Sequence, residues 1–117
     1  MWSDQKYFKS KRGLLKSSLL IGKWRSEDDA KYLLVFGKRK YTELYGKDTT
    51  DNMYYRLSSS CDLKDSSSEI NLQKAYLLFY LNDSVQQCNE ILNLANDALS
   101  WMNNTNGKIF VFKKIKQ

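Results

Sequence analysis

From Leu20 onward the chain reads as short runs of apolar and aromatic residues separated by polar or glycine-containing breaks. The runs fall near 20–27, 31–37, 39–46, 52–58, 72–81, 85–94, 97–103 and 107–116. Their length and their aliphatic and aromatic content predict strands. Asp28-Asp29, Gly37-Lys38, Gly46-Lys47-Asp48, Asn82-Asp83-Ser84, Ala95-Asn96-Asp97 and the Asn103–Gly107 segment supply turn chemistry between them. Connections this short join antiparallel neighbours, and no stretch of crossover-helix length separates successive runs, so parallel βαβ units are excluded. A meander with two free edges removes them by closing on itself. The expected fold class is therefore all-β: a single antiparallel up-and-down meander of about eight strands closed into a barrel.

Two segments break the pattern. Residues 1–19 form a basic N-terminal segment in which Leu14, Leu15, Leu19 and Leu20 are spaced by Lys and Ser; that spacing predicts a short amphipathic helix, although Gly13 works against it. Residues 20–117 hold the barrel. The polar stretch from Ser58 to Ser68, with two serine triplets, predicts a mobile loop.

Alternation at a period of two assigns an interior. If Trp24 points inward, Leu20, Gly22 and Ser26 share its face, and the inward sets elsewhere are Tyr32, Leu34 and Phe36, then Met53, Tyr55 and Leu57. Trp24, Tyr32, Leu34, Phe36, Tyr55, Phe79, Trp101 and Phe110 are the candidate ligand-contacting positions. An eight-stranded barrel either fills its interior with side chains or holds one small ligand, and for these residues a packed core is the first expectation and a pocket the second.

Leu20-Ile21-Gly22-Lys23-Trp24 carries a Gly-x-Trp motif at the start of the meander. Ile91-Leu92-Asn93-Leu94, Asp97-Ala98-Leu99-Ser100-Trp101 and Gly107-Lys108-Ile109-Phe110-Val111-Phe112-Lys113 follow in the C-terminal half. With these motifs the stretch from about Leu20 to Ile115 resembles the lipocalin-like branch of the calycins, and small bacterial lipocalin-like proteins in particular. The resemblance implies that Trp24 closes one end of the barrel beneath a basic side chain of the last strand, Lys113 or Lys114. It further implies a non-catalytic binding or accessory protein of the bacterial cell envelope, exported and in many relatives a lipoprotein, carrying a small apolar ligand.

The chain has 117 residues, enough for one domain with its own core. It contains no His, which removes the usual general base near neutrality and the commonest transition-metal ligand. Carboxylates such as Glu43, Glu90 and Asp97 are scattered over different expected strands, and there is no phosphate loop or nucleophile elbow. No catalytic residue, metal site or cofactor is expected, though a Ser or Tyr chemistry assembled only by folding would leave no trace in the sequence. Cys61 and Cys88 are either two buried thiols or one disulfide. The bridge is the expected state, because closing a loop of about 28 residues contributes roughly 3–4 kcal/mol in the chain-entropy model.

Charge alters the picture at the ends. Residues 1–40 carry eleven Lys or Arg against four acids, residues 41–112 five against nine, and residues 113–117 three Lys and no acid. Lys9, Lys11, Arg12, Lys23, Arg25, Lys113 and Lys114 are the candidate basic surface. A basic segment beside a lipid anchor suits an anionic membrane surface, with Lys6 and Lys16 contributing. The alternative is a basic barrel that binds single-stranded nucleic acid, with Trp2, Tyr7 and Phe8 interleaved among the cations; a solvated tail is commoner. No apolar core of signal-peptide length lies within Met1–Arg12. The expected location is extracytoplasmic, with a signal removed upstream, or else cytoplasmic. The sequence does not indicate an oligomeric state.

Overall fold

The computed structural model describes residues 13–115. Among the described residues ten strands are formed: β1 (Leu14–Lys16), β2 (Gly22–Ser26), β3 (Tyr32–Phe36), β4 (Lys40–Tyr45), β5 (Asp48–Ser58), β6 (Glu69–Asn71), β7 (Tyr76–Leu81), β8 (Ser84–Leu94), β9 (Ala98–Asn103) and β10 (Ile109–Lys114). Eight of them close an antiparallel barrel in the order β10-β2-β3-β4-β5-β7-β8-β9. Each corresponds to one of the eight runs seen in the sequence. Closure pairs Lys114 with Trp24, Lys113 with Arg25 and Phe112 with Ser26.

Turn chemistry acts where the residue types demand it. Asn82 and Asp83 both adopt positive φ, 49° and 64°, between the paired Leu81 and Ser84. That two-residue connection matches the right-handed twist of the strands it joins, and Asn and Asp are the non-glycine residues that tolerate it best.

The expected N-terminal helix is not formed in the described part of that segment. Leu14–Lys16 is a strand and Ser17–Leu20 a single 3-10 turn; residues 1–12 lie outside the described residues. Non-local pairing accounts for the difference. β1 pairs with β6 in a two-stranded sheet, Leu15 opposite Ile70, and the Ser17 amide donates to the Ser68 carbonyl at 2.9 Å. Alternation then buries Leu15 and Ile70, while Leu14 stays 59% exposed.

The Ser58–Ser68 stretch is pinned by local bonds. Ser58 Oγ donates to the Asp62 carbonyl at 2.9 Å, Ser60 Oγ to Asp65 Oδ2 at 2.8 Å, and Asp62 caps the 3-10 turn Leu63–Asp65. A disulfide joins Cys61 to Cys88 on β8, with Cα atoms 5.6 Å apart. Residues 59–75 thus leave the wall at β5, cross one end and re-enter as β7.

That end is closed. Trp24 is fully buried and its indole Nε1 donates to the Leu20 carbonyl at 2.9 Å. The Lys114 ammonium sits 5.1 Å from the centre of the Trp24 ring and donates to the Leu19 carbonyl at 3.5 Å. Gly22 makes the approach feasible: its φ is +135°, and a Cβ there would lie 2.6 Å from Lys114 Cε. Of the two expected lysines, Lys114 covers the tryptophan, and Lys113 points outward beside Arg25. Leu15, Leu20, Ile70, Leu72 and Ala75 join Trp24, Leu57, Leu94 and Leu99 in one core.

Candidate functional site

At the opposite end no described segment crosses the barrel, and the inward faces of the strands line an open cavity of about 410 Å³. This lies within the usual size range of small-molecule sites, roughly 300–1,000 Å³. Its wall is aromatic and aliphatic: Tyr32, Leu34, Tyr41, Phe79, Trp101 and Phe110. Its mouth carries Asp29, Glu43, Tyr45, Thr50 and Gln87. The rings form a continuous array. Tyr41 stacks on Phe79 at 3.9 Å, Phe79 meets Trp101 edge-on at 5.8 Å, and Phe112 links Trp101 at 5.0 Å to Tyr32 at 5.4 Å. Offset and edge contacts of this kind hold rings in fixed orientations, so the wall is preformed.

Glu43 is the organised polar group. It lies on the inward face of β4 with Tyr41, half-buried. The Tyr32 hydroxyl donates to its Oε2 at 2.6 Å and Thr50 Oγ1 donates to its Oε1 at 2.9 Å. Thr50 reaches it because the β4–β5 register shifts between Glu43 and Leu44, where Thr50 opposes no partner. A bulge of this kind re-aims one side chain. A second shift, between Phe79 and Tyr80, falls beside Gln87 on β8. Asp29 accepts from the Tyr45 hydroxyl at 2.8 Å and from the Lys31 amide at 3.0 Å.

Ionisation follows from these contacts. Burial, then the hydrogen bond to Glu43, hold the Tyr32 phenol well above its usual range. Burial, then the charges of Asp51 and Glu43, raise Tyr41 likewise. The Tyr45 hydroxyl, and after it the Lys31 amide, keep the Asp29 carboxyl below the ordinary carboxylate range, and the same bond raises Tyr45. The cavity therefore presents protonated phenols as donors to carboxylates. Further along the inward face of β8, Asn89 is fully buried. Its Nδ2 donates to the Leu77 carbonyl and to Gln87 Oε1, and its Oδ1 has no partner among the described residues.

Of the eight interior positions chosen from sequence, Tyr32, Leu34, Phe79, Trp101 and Phe110 line the cavity. Trp24, Phe36 and Tyr55 are interior but belong to the packed half. Phe36 is wedged between Tyr55 at 4.9 Å and Tyr41 at 5.6 Å, and the Tyr55 hydroxyl donates to the Gly37 carbonyl. Burial pushes the Tyr55 phenol up to about 12. Tyr41, Glu43, Tyr45, Thr50, Gln87 and Asp29 were not among the positions chosen. Strand parity at Tyr41, Glu43 and Tyr45 carried the signal for three of them.

The basic surface divides. Arg25 and Lys113 are direct cross-strand neighbours on the outside of the closing seam, and the Ile115 amide bonds the Lys23 carbonyl at 2.8 Å beside them. Lys114 borders the same outer pocket, but its ammonium is committed to Trp24 and the Leu19 carbonyl. Lys9, Lys11 and Arg12 lie outside the described residues. A stronger cationic feature, absent from the sequence-based set, is an outer groove of about 500 Å³ lined by Lys38, Arg39, Arg56, Tyr54 and Ser66–Ser68. Lys40 lies 5.0 Å over Tyr54, which stacks on Tyr80 at 5.6 Å, and Arg56 lies 5.3 Å over Tyr80.

Among the described residues no group of three or more Cys, Asp or Glu side chains is placed to hold a metal ion, and no helix is long and apolar enough to cross a membrane. No protein-family model matches the sequence. No curated protein matches it, and no solved structure does.

Proposed function

We propose that the protein is a non-catalytic, lipocalin-like binding protein that holds a small, largely apolar ligand in the open end of its barrel. The observation that carries this is the asymmetry of the interior: one end is plugged by Trp24 and the β1–β6 sheet, the other is an aromatic cavity of about 410 Å³. The Gly22/Trp24/Lys114 arrangement supports the lipocalin-like assignment. Binding is favoured over catalysis because the cavity's phenols stay protonated and Glu43 is engaged through both oxygens. The Cys61–Cys88 bridge supports an oxidising compartment, and with it the bacterial cell envelope.

Titration with N-phenyl-1-naphthylamine, a neutral apolar fluorophore, tests the cavity. Saturable enhancement is expected, and Gln87→Trp, which fills the mouth from a half-buried position, is expected to abolish it. Absence of enhancement in the parent protein would reduce the barrel to a packed interaction domain.

The outer groove favours a second function, capture of a polyanion such as single-stranded nucleic acid, with Lys38, Arg39 and Arg56 on phosphates and Tyr54 stacking on a base. Retention on an oligonucleotide column that falls steeply with salt, and falls further in Arg39→Glu, is the expected signature. No retention at low salt removes it.

A further inference from the structure

The polar composition of the cavity is one-sided. The chain carries a net charge of +6, yet among the described residues no Lys or Arg lines the cavity, whereas Asp29 and Glu43 do. Asp51, opposite Glu43 in register, adds a third carboxylate at the same rim. Among the described residues the half-buried Glu43 pairs with no cation; its partners are the neutral hydroxyls of Tyr32 and Thr50. A partly desolvated carboxylate held by neutral donors alone leaves its charge uncompensated. The rings of Tyr32, Tyr41, Phe79, Trp101 and Phe110 line the same cavity; Tyr41 and Phe79 stack on each other, and the half-buried Tyr32 and Phe110 are the rings an incoming cation can meet.

We propose, resting on the cavity-binding function above, that the site selects a small organic ammonium ion, an arylalkyl or alkyl amine whose charged nitrogen sits beside Glu43 and whose apolar body fills the aromatic wall. The rim shows the same chemistry in tethered form: Lys108 places its ammonium 5.3 Å from the centre of the Phe110 ring. Lys31, beside Asp29, is a second described cation near the mouth. Both stand outside the lining residues, so neither neutralises Glu43. Lys108, one residue before β10 and over a ring of the cavity wall, is positioned to compete weakly with an incoming amine.

Three probes of similar shape separate charge from apolar fit: 2-phenylethylamine, 2-phenylethanol and 3-phenylpropionate, titrated at neutral pH by isothermal calorimetry. The amine is expected to bind about tenfold or more tighter than the alcohol, and the acid more weakly than either. In Glu43→Gln, an isosteric change, the amine's advantage over the alcohol is expected to shrink to about twofold with alcohol binding retained. Lys108→Met is expected to raise amine affinity modestly. If the alcohol or the acid binds as well as the amine, the ammonium proposal is overturned while the cavity function stands. An advantage that survives Glu43→Gln overturns the role given to that carboxylate. If none of the probes binds, nor N-phenyl-1-naphthylamine, both fail together.

Discussion

The two ends of the barrel are built from the same strands with the same alternation, yet one is solid and the other hollow. At the closed end Trp24 gains a hydrogen bond from its indole, a cation over its ring, and leucines from segments outside the barrel wall, Leu15, Leu20 and Leu72. At the open end the rings packed on Trp101 among the described residues are those of its wall neighbours, Phe79, Phe110 and Phe112. Wall residues alone do not decide whether such a barrel is filled. Residues 13–20 and 59–75 do, by crossing one mouth, while no described segment crosses the other.

The largest expected effect falls at the closed end. Trp24→Ala should cost about 3–5 kcal/mol in chemical denaturation, because it empties a fully buried site and strands the Leu20 carbonyl and the Lys114 ammonium. Trp101→Ala should cost less, since among the described residues this buried ring is held by ring packing alone, with no cation over it and no carbonyl on its indole; equal losses would erase the distinction between the ends. Next comes the disulfide. Replacing Cys61 and Cys88 together by Ser should cost about 2–4 kcal/mol. It loosens the excursion that caps the closed end, so probe affinity at the open end should stay within about twofold of the parent value. Loss of binding would show that the two ends are coupled.

Alkaline titration sharpens the comparison differently, because buried phenols occur in both halves. Tyr32 and Tyr41 at the cavity and Tyr55 in the packed half have folded-state pKa values above the ordinary tyrosine value of 10.0. A raised folded value gives stability that is complete below the unfolded value and is lost as pH climbs through the folded one. Stability should therefore be level below pH about 10 and fall above it, through about 12 for Tyr55. Phenolate absorbance should show these tyrosines ionising only as the circular dichroism of the barrel disappears. The smallest effect is that of Lys114→Met, which removes the cation over Trp24 while keeping an apolar stem over Gly22. A loss of roughly 0.5–2 kcal/mol is expected, with no change in probe binding.

The sequence made the wall legible because a period of two, punctuated by Asn82-Asp83, Gly46 and their like, survives in any half-buried strand. It also favoured the Cys61–Cys88 bridge over two thiols, and the resemblance to lipocalin-like proteins implied Trp24 beneath Lys113 or Lys114. It did not reveal β1 and β6, since three-residue strands more than fifty positions apart have no period of their own, and Leu14, Leu15, Leu19 and Leu20 imitate helical spacing. The polar mouth was hidden for another reason. Glu43, Thr50 and Gln87 resemble solvent-facing residues, and the bulges that turn two of these strand regions inward depend on pairing that no local pattern encodes. Phe36 and Tyr55 have the same inward parity as Tyr32 and Leu34, so only their position along the barrel axis separates core from cavity.

The hollow end is tested most directly by the indole N–H resonances of Trp24 and Trp101, assigned with Trp→Phe variants and followed while 2-phenylethanol and then 2-phenylethylamine are added. The Trp101 signal should move saturably with both probes, at lower concentration for the amine, while Trp24 stays fixed beneath Lys114. A Trp101 signal that never moves, or a Trp24 signal that moves with it, would contradict a barrel that is plugged at one end and open to a ligand at the other.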